Sequence, residues 1–285
     1  MGNSNTIARK GTWPWRVAMS FAMGAVVLSG CGSGNGGKAA GPSRSAPSRS
    51  ATPSTAGTPS ATASASGGGG STPALFRASP AKVPRTRGRA ETLAAAVTLK
   101  PQDWGAGFRA QLPGASAPRT VAVLDEQCRW ERRPLPRSVL ASLSRYSEIP
   151  AAGGKGELKV SAAVTVHATV RDADQRLAST LEEPLRCRQQ QVRTDERISG
   201  LISTATPYGQ GNNTYADDQV VEIGSYLSGN TQQIYRWYVT RLGTVTLAVS
   251  VKGAKGYSAA ELEQYASHAS ASMLSRLESE LGGDR

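Results

Sequence analysis

Histidine is nearly missing from this chain of 285 residues, with His167 and His268 the only two, and cysteine is almost as scarce, with Cys31, Cys128 and Cys187 alone. Scattered in this way, they do not provide the His/Cys spacing that zinc sites need. His167 falls on the polar side of an alternating stretch, with Thr165, Thr169 and Arg171 as face-mates, so it is expected to be exposed rather than a general base. His268 lies at the edge of a helical apolar stripe and is read in the same way. There is no Gly-x-Ser-x-Gly elbow and no P-loop; the glycines at 67–70 lie in low-complexity sequence, not between a strand and a helix. The carboxylate pairs Glu182-Glu183 and Asp217-Asp218 have no partner motif, so solvated surface is expected in place of the paired acids of a glycosidase. The chain is therefore expected not to be an enzyme, with no catalytic set, no cofactor and no metal.

Long hydrophobic runs are lacking too. The longest, residues 17–28, is about a dozen residues, too short to span a bilayer and right for the apolar core of a secretory signal. Arg9, Lys10 and Arg16 precede it with no acidic residue among them. Leu28-Ser29-Gly30-Cys31 follows it and resembles the lipobox of bacterial lipoproteins. The resemblance implies that the Cys31 sulfur receives a diacylglycerol and that a signal peptidase cuts between Gly30 and Cys31. Residues 1–30 are then a lipoprotein signal peptide, and the mature chain is lipid-anchored to the cell membrane on its extracytoplasmic face.

The three cations and no acids of residues 1–30 leave +9 of the formal +12 charge. For an exported chain the polyanions within reach belong to the envelope, so the expected partner is an anionic envelope polymer, lipid or glycan and not a nucleic acid. Cys128 and Cys187 remain as an even pair in an oxidising compartment, which reads as a disulfide. From 31 to about 85 the chain is Gly, Ser, Ala, Thr and Pro with few aliphatic side chains. It cannot bury enough apolar surface to offset its ordering entropy and is expected to be a disordered tether. Fifty-odd residues of this kind reach roughly 40 Å as a flexible coil.

Residues 86–285 are long enough for one domain with a sizeable core. Helical spacing is read at 91–99 and at 134–149, where Leu135, Val139, Leu140, Leu143 and Tyr146 recur between two prolines. Residues 120–124 read as a strand. The clearest strand is 158–170, in which Leu158, Val160, Ala162, Val164, Val166, Ala168 and Val170 alternate with polar residues. Asp172 is expected to cap a following helix that Pro184 disturbs. Strands at 198–204, 219–227, 232–241 and 244–251 follow, the last three as a meander, and Ser258 with Glu261 makes a capping box for a closing helix. Clustered strands with flanking helices give α+β: an antiparallel β-sheet with helices packed mainly on one face.

A further resemblance appears at residues 93–108, LAAAVTLKPQDWGAGF. It resembles the opening of many actinobacterial lipoprotein domains. The later order of strand, helix, cysteine, meander and terminal helix is similar to the extracellular sensor domains of mycobacterial membrane Ser/Thr kinases. That resemblance implies a non-catalytic α+β domain with a ligand cleft. This chain departs from it in having one possible cysteine pair where two are implied, and in carrying no kinase.

Two constellations suit ligand binding. Tyr235, Trp237 and Val239 share one strand face, while Ile234, Arg236 and Tyr238 share the other. Tyr235 and Trp237 either pack under the terminal helix as core or floor a groove that stacks on a sugar, lipid or peptide. Arg129, Trp130, Arg132 and Arg133 combine charge with an aromatic, as recognition of an anionic polymer requires; alternatively Trp130 packs on the disulfide and the arginines are solvated. The sequence thus points to a ligand-binding or sensor-like lipoprotein module. The alternative is an accessory protein contacting a membrane protein or cell-wall complex, and a cell-wall hydrolase is the least supported class.

Overall fold

A computed structural model describes residues 75–282 apart from residue 212. The expected signal peptide, the lipobox-like stretch with Cys31, and the expected tether up to residue 74 lie outside the described residues. The chain joins the core earlier than composition implied. Phe76 and Ala78 already pack against it, and the Ser79 amide donates to the Leu281 carbonyl at 3.1 Å.

The elements run α1 (Arg87–Val97), a short 3-10 turn (Pro101–Trp104), β1 (Arg109–Ala115), β2 (Thr120–Leu124), β3 (Trp130–Pro134), β4 (Val139–Ile149), β5 (Leu158–His167), α2 (Val170–Arg186), β6 (Gln189–Arg193), β7 (Glu196–Pro207), β8 (Asp218–Ser228), β9 (Thr231–Leu242), β10 (Val245–Lys252) and α3 (Ala259–Leu281). Eight strands form one antiparallel sheet in the order β1-β4-β5-β10-β9-β8-β7-β6, and β2 with β3 forms a separate ribbon. The α+β expectation holds, with α1 and α3 on one face and α2 on the other.

Alternation explains the two faces. Val160, Ala162, Val164 and Val166 of β5, with Val245, Leu247, Val249 and Val251 of β10, point toward α1 and α3 and are buried. α3 meets them with Leu262, Ala266, Ala269, Met273, Leu277 and Leu281, a stripe at helical spacing. Its start is the expected capping box: the Ser258 hydroxyl accepts from the Glu261 amide, and the Glu261 carboxylate accepts from the Ser258 amide. On the opposite face the same strands carry Ser161, Ala163, Thr165, Thr246, Ala248 and Ser250, which are too small to fill the space above them.

The sheet curls until its two ends meet. Arg193 of β6 donates to the Gln111 carboxamide of β1 at 3.4 Å, although these strands are the two edges. The β2–β3 ribbon lies across the opening. It is held to β4 by Arg132 and to the start of β6 by pairing of Arg129 with Gln191. The disulfide between Cys128 and Cys187, Cα atoms 5.5 Å apart, ties the ribbon to the C-terminal end of α2.

Three expectations are corrected. Residues 134–149 are not a helix but the end of β3 and all of β4. Val139, Ala141 and Leu143 do fit helical spacing with their neighbours, yet they also lie at period two, and β4 pairs along its length with β5. Its serines have poor helix propensity, and pairing on both edges outweighs a weak local preference. β5 stops at His167, because Thr169 caps α2, accepting from the Asp172 amide at 3.1 Å. Asp172 itself is thus not the cap. α2 also runs on through Pro184 to Arg186, with the Cys187 amide still bonding the Glu183 carbonyl at 2.7 Å. A proline one turn from the end disturbs little. The strands β1 and β6 had no readable signal, being short polar edges of sequence RAQLPGA and QQQVR.

Candidate ligand-binding cleft

The small side chains on the concave face leave a cleft of about 370 Å³, within the size range of small-molecule sites. Cross-strand rows make its floor. Ser144 lies beside Ala163, Ala163 beside Ala248, and Ala248 beside Val239. The next row is Tyr146, Ser161, Ser250 and Trp237. Floor hydroxyls pair with each other, Ser142 with Thr165 at 3.0 Å and Ser161 with Ser250 at 2.7 Å. They are thereby satisfied without filling the volume.

The aromatic residues form a wall. Trp237 and Tyr235 do not pack under α3; their face turns toward α2 and the cleft, where Leu177, Ile198 and Val220 surround them. Trp130 meets Trp237 edge-on, with ring centroids 5.4 Å apart and planes at 84°. Its indole N–H donates to the Gln190 side-chain oxygen at 2.8 Å. Trp237 and Tyr235 therefore line the cleft, as the groove reading expected, while being buried in an apolar cluster on the α2 side and not in the expected core under α3. Tyr238 faces the other way and bonds Glu263 of α3.

Arg129, Arg132 and Arg133 separate. Strand alternation aims Trp130 and Arg132 into the cleft, while Arg133 is exposed and ion-paired with Glu131 at the rim. Arg129 is also exposed and paired with Asp125 at 2.9 Å. Arg132 is half-buried: Nε donates to the Thr120 hydroxyl and one terminal nitrogen to the Ser144 hydroxyl, each at 3.0 Å, and the other bonds the Thr120 carbonyl. Burial lowers its pKa from the ordinary arginine value.

At one end of the cleft Lys159 of β5 faces Lys252 of β10 directly across the ladder, an arrangement that repels by itself. Buried Glu196 resolves it, with one oxygen 3.0 Å from Lys159 and the other 2.7 Å from Lys252. Burial would raise the Glu196 pKa, but the two ammonium groups more than reverse this and hold it at about 2. Lys252 also stands 5.2 Å over the Tyr226 ring. No local pattern announces this cluster, because it depends on strand register and on the curl that brings β7 back to β5.

His167 is not exposed. It is 3% accessible, with Nε2 3.0 Å from the Thr246 hydroxyl. α2 covers this end of β5, and burial, with Arg176 adding, lowers its pKa to about 4, so the ring is neutral. His268 is exposed on α3. Of the paired carboxylates, Glu182 is exposed as expected and the other three are not free surface. Asp217 and Asp218 both hold Arg241, and Glu183 is buried against Arg176 at 2.7 Å.

Glu222 of β8 is fully buried, and one of its oxygens accepts from the Ser203 hydroxyl at 2.8 Å. Burial, reinforced by Glu183, pushes its pKa from 4.5 up to about 7. Neither Glu183 nor Glu222 lines the cleft, so they do not form the acid pair of a hydrolase there. A raised carboxyl contributes stability that is fully present below about pH 4.5 and lost as pH rises through about 7. Glu222→Gln, which keeps an acceptor for Ser203 without the charge, is expected to stabilise the protein at pH 8 by on the order of 3 kcal/mol. It should have little effect at pH 4.5. Urea denaturation at the two pH values checks this, and equal effects at both would refute it.

Among the described residues no three His, Cys, Asp or Glu side chains gather as a metal site, and no helix is long and apolar enough to cross a membrane. No family model matches the chain and no curated protein matches it. Among solved structures, the chain is similar to an uncharacterised Rv0999 ortholog from Mycobacterium smegmatis, at 9% identity and a TM-score of 0.28, over 60% of this chain and 90% of the other.

Proposed function

We propose that this chain is a non-catalytic ligand-binding or sensor-like module of the cell envelope, anchored on the outer face of the cell membrane through a lipid on Cys31. The observation that carries this reading is the cleft of about 370 Å³ walled by Trp130 and Trp237 and floored by Ser, Ala and Thr. An open space kept by small residues inside an otherwise Val- and Leu-packed sheet is what a binding site needs and a purely structural core avoids. The lipobox resemblance supports the anchor, and the resemblance to kinase-linked sensor domains agrees with a cleft-bearing domain. The accessory-protein alternative calls for a flat apolar patch of roughly several hundred Å². Of the seven large apolar side chains exposed among the described residues, Ile202 and Ile223 are the two that are cross-strand partners, on β7 and β8.

Native mass spectrometry of the full chain purified from its own envelope tests the reading. A small molecule bound to the wild type and absent from Ala163→Phe, which fills the floor where Ala163 meets Ala248, is the expected result. If the wild type is empty and releases nothing on denaturation, while both chains melt alike, the cleft is not a binding site.

A further inference from the structure

We infer that the cleft is built for an anionic amphiphile, with an acidic head on the Arg132 guanidinium and an apolar body against the tryptophan wall; this rests on the reading of the cleft as a ligand site. The charge balance of the lining is lopsided. Arg132, Lys159, Arg176, Arg193 and Lys252 line it against a single carboxylate, Glu131, which Arg133 already engages. Lys159, Lys252 and Arg193 share Glu196, and Arg176 has Glu183. Arg132 differs. Among the described residues no carboxylate forms an ion pair with it, and its partners are the uncharged groups of Thr120 and Ser144 and the Tyr146 hydroxyl.

Those partners fix the guanidinium in place without neutralising it. A half-buried cation with only neutral acceptors is costly, and the cost is recovered when an anion enters. Three of the five guanidinium N–H groups are engaged by Thr120 and Ser144, and the Tyr146 side chain bonds the guanidinium as well. An entering carboxylate or phosphate would take the N–H groups left on the terminal nitrogens, displacing the Tyr146 hydroxyl where they compete.

The rest of the lining excludes a bare ion. Trp130, Val192, Ile198, Trp237, Val239 and Ala248 give it an apolar side, and of the floor hydroxyls Ser142 and Thr165, and Ser161 and Ser250, bond one another. This lining favours an apolar chain or ring, and the volume suits one small molecule. A long polyanion does not fit a volume of this size. For this cleft, the anionic envelope partner expected from net charge is narrowed to a small acid with an apolar tail.

Calorimetric titration of the full chain with octanoate, octyl phosphate, octanol and inorganic phosphate tests this, and the first two separate a carboxylate head from a phosphate head. Octanoate or octyl phosphate is expected to bind at least about tenfold more tightly than octanol, the span of a charge-assisted hydrogen bond, and inorganic phosphate should bind as weakly as octanol. Arg132→Met should abolish the preference for the acid over the alcohol, and Arg132→Lys should keep part of it. If the arginine variant does not fold, the four probes on the wild type decide alone. Octanol binding as tightly as both acids would overturn the anionic head while leaving the cleft a binding site. Inorganic phosphate matching octyl phosphate would overturn the apolar body. Failure of all four overturns the inference, and the mass measurement on envelope-derived protein then shows separately whether the cleft holds any ligand.

Discussion

Replacing both Cys128 and Cys187 by serine is expected to lower the stability of the domain by about 4 kcal/mol, because the bridge spans 59 residues and closing such a loop removes that much chain entropy from the unfolded state. In the folded state the neighbourhood keeps other ties. The Arg186 guanidinium donates to the Asp125 carbonyl at 2.8 Å and the Leu124 carbonyl at 3.2 Å, and the Gln191 amide donates to the Cys128 carbonyl at 2.8 Å. The ribbon should therefore stay in register, and the loss should appear chiefly as easier unfolding. Denaturant titration of the variant against the oxidised protein measures it. A reductant should move the wild type to the variant's midpoint and leave the variant unmoved. Equal midpoints for wild type and variant in oxidising buffer would mean the bridge contributes nothing.

Glu196→Gln is expected to cost about 3–5 kcal/mol at pH 7, the range for breaking a buried ion pair by removing one partner. The substitution leaves Lys159 and Lys252 opposed across β5 and β10 with no charge between them. The pH dependence follows from the depressed pKa. Because Glu196 sits at about 2 when folded against an ordinary 4.5, its contribution is present above pH 4.5 and lost as pH falls from there through about 2. Wild type and variant should accordingly converge near pH 2, and adding Lys252→Met to the variant should restore part of the loss at pH 7. Denaturation at pH 7, 4.5 and 2.5 is the measurement. If the two proteins are equally stable at pH 7, the carboxylate is not what holds the lysines together.

The parts of the fold legible in sequence were those with local causes. The alternation in β5 and β10, the capping box at Ser258 and Glu261, and the meander turns at 229–230 and 243–244 are each written within about ten residues. β4 was misread because Val139 and Leu143 satisfy two periods at once, and its partner strand settles which one wins. β1 and β6 were invisible because edge strands with one exposed side need no apolar pattern. Of the site, Trp130, Arg132, Tyr235 and Trp237 were found by residue type, and strand alternation at β3 explains why Arg129 and Arg133 do not join them. Lys159, Lys252 and Glu196 were out of reach, since their meeting joins positions on three strands. The Ser, Ala and Thr rows were in view all along, and small residues opposite valines on two paired strands were the available sign of a hollow.

The place of β10 beside β5 has a consequence for biogenesis. His167 and Thr246 are 79 positions apart, and Ser161 and Ser250 are 89, yet they are neighbours in the middle of the sheet. A chain delivered N-terminus first across a membrane would present the β5 edge, with its row of valines, before β10 has emerged. High contact order of this kind slows folding, and unpaired strand edges invite aggregation while they wait. During that interval β5 has β4 on one side only, so the last forty-odd residues, carrying β10 and α3, close the domain. Under such delivery the chain would acquire its central ladder last, and a holdase that shielded β5 until then would act at the most vulnerable stage.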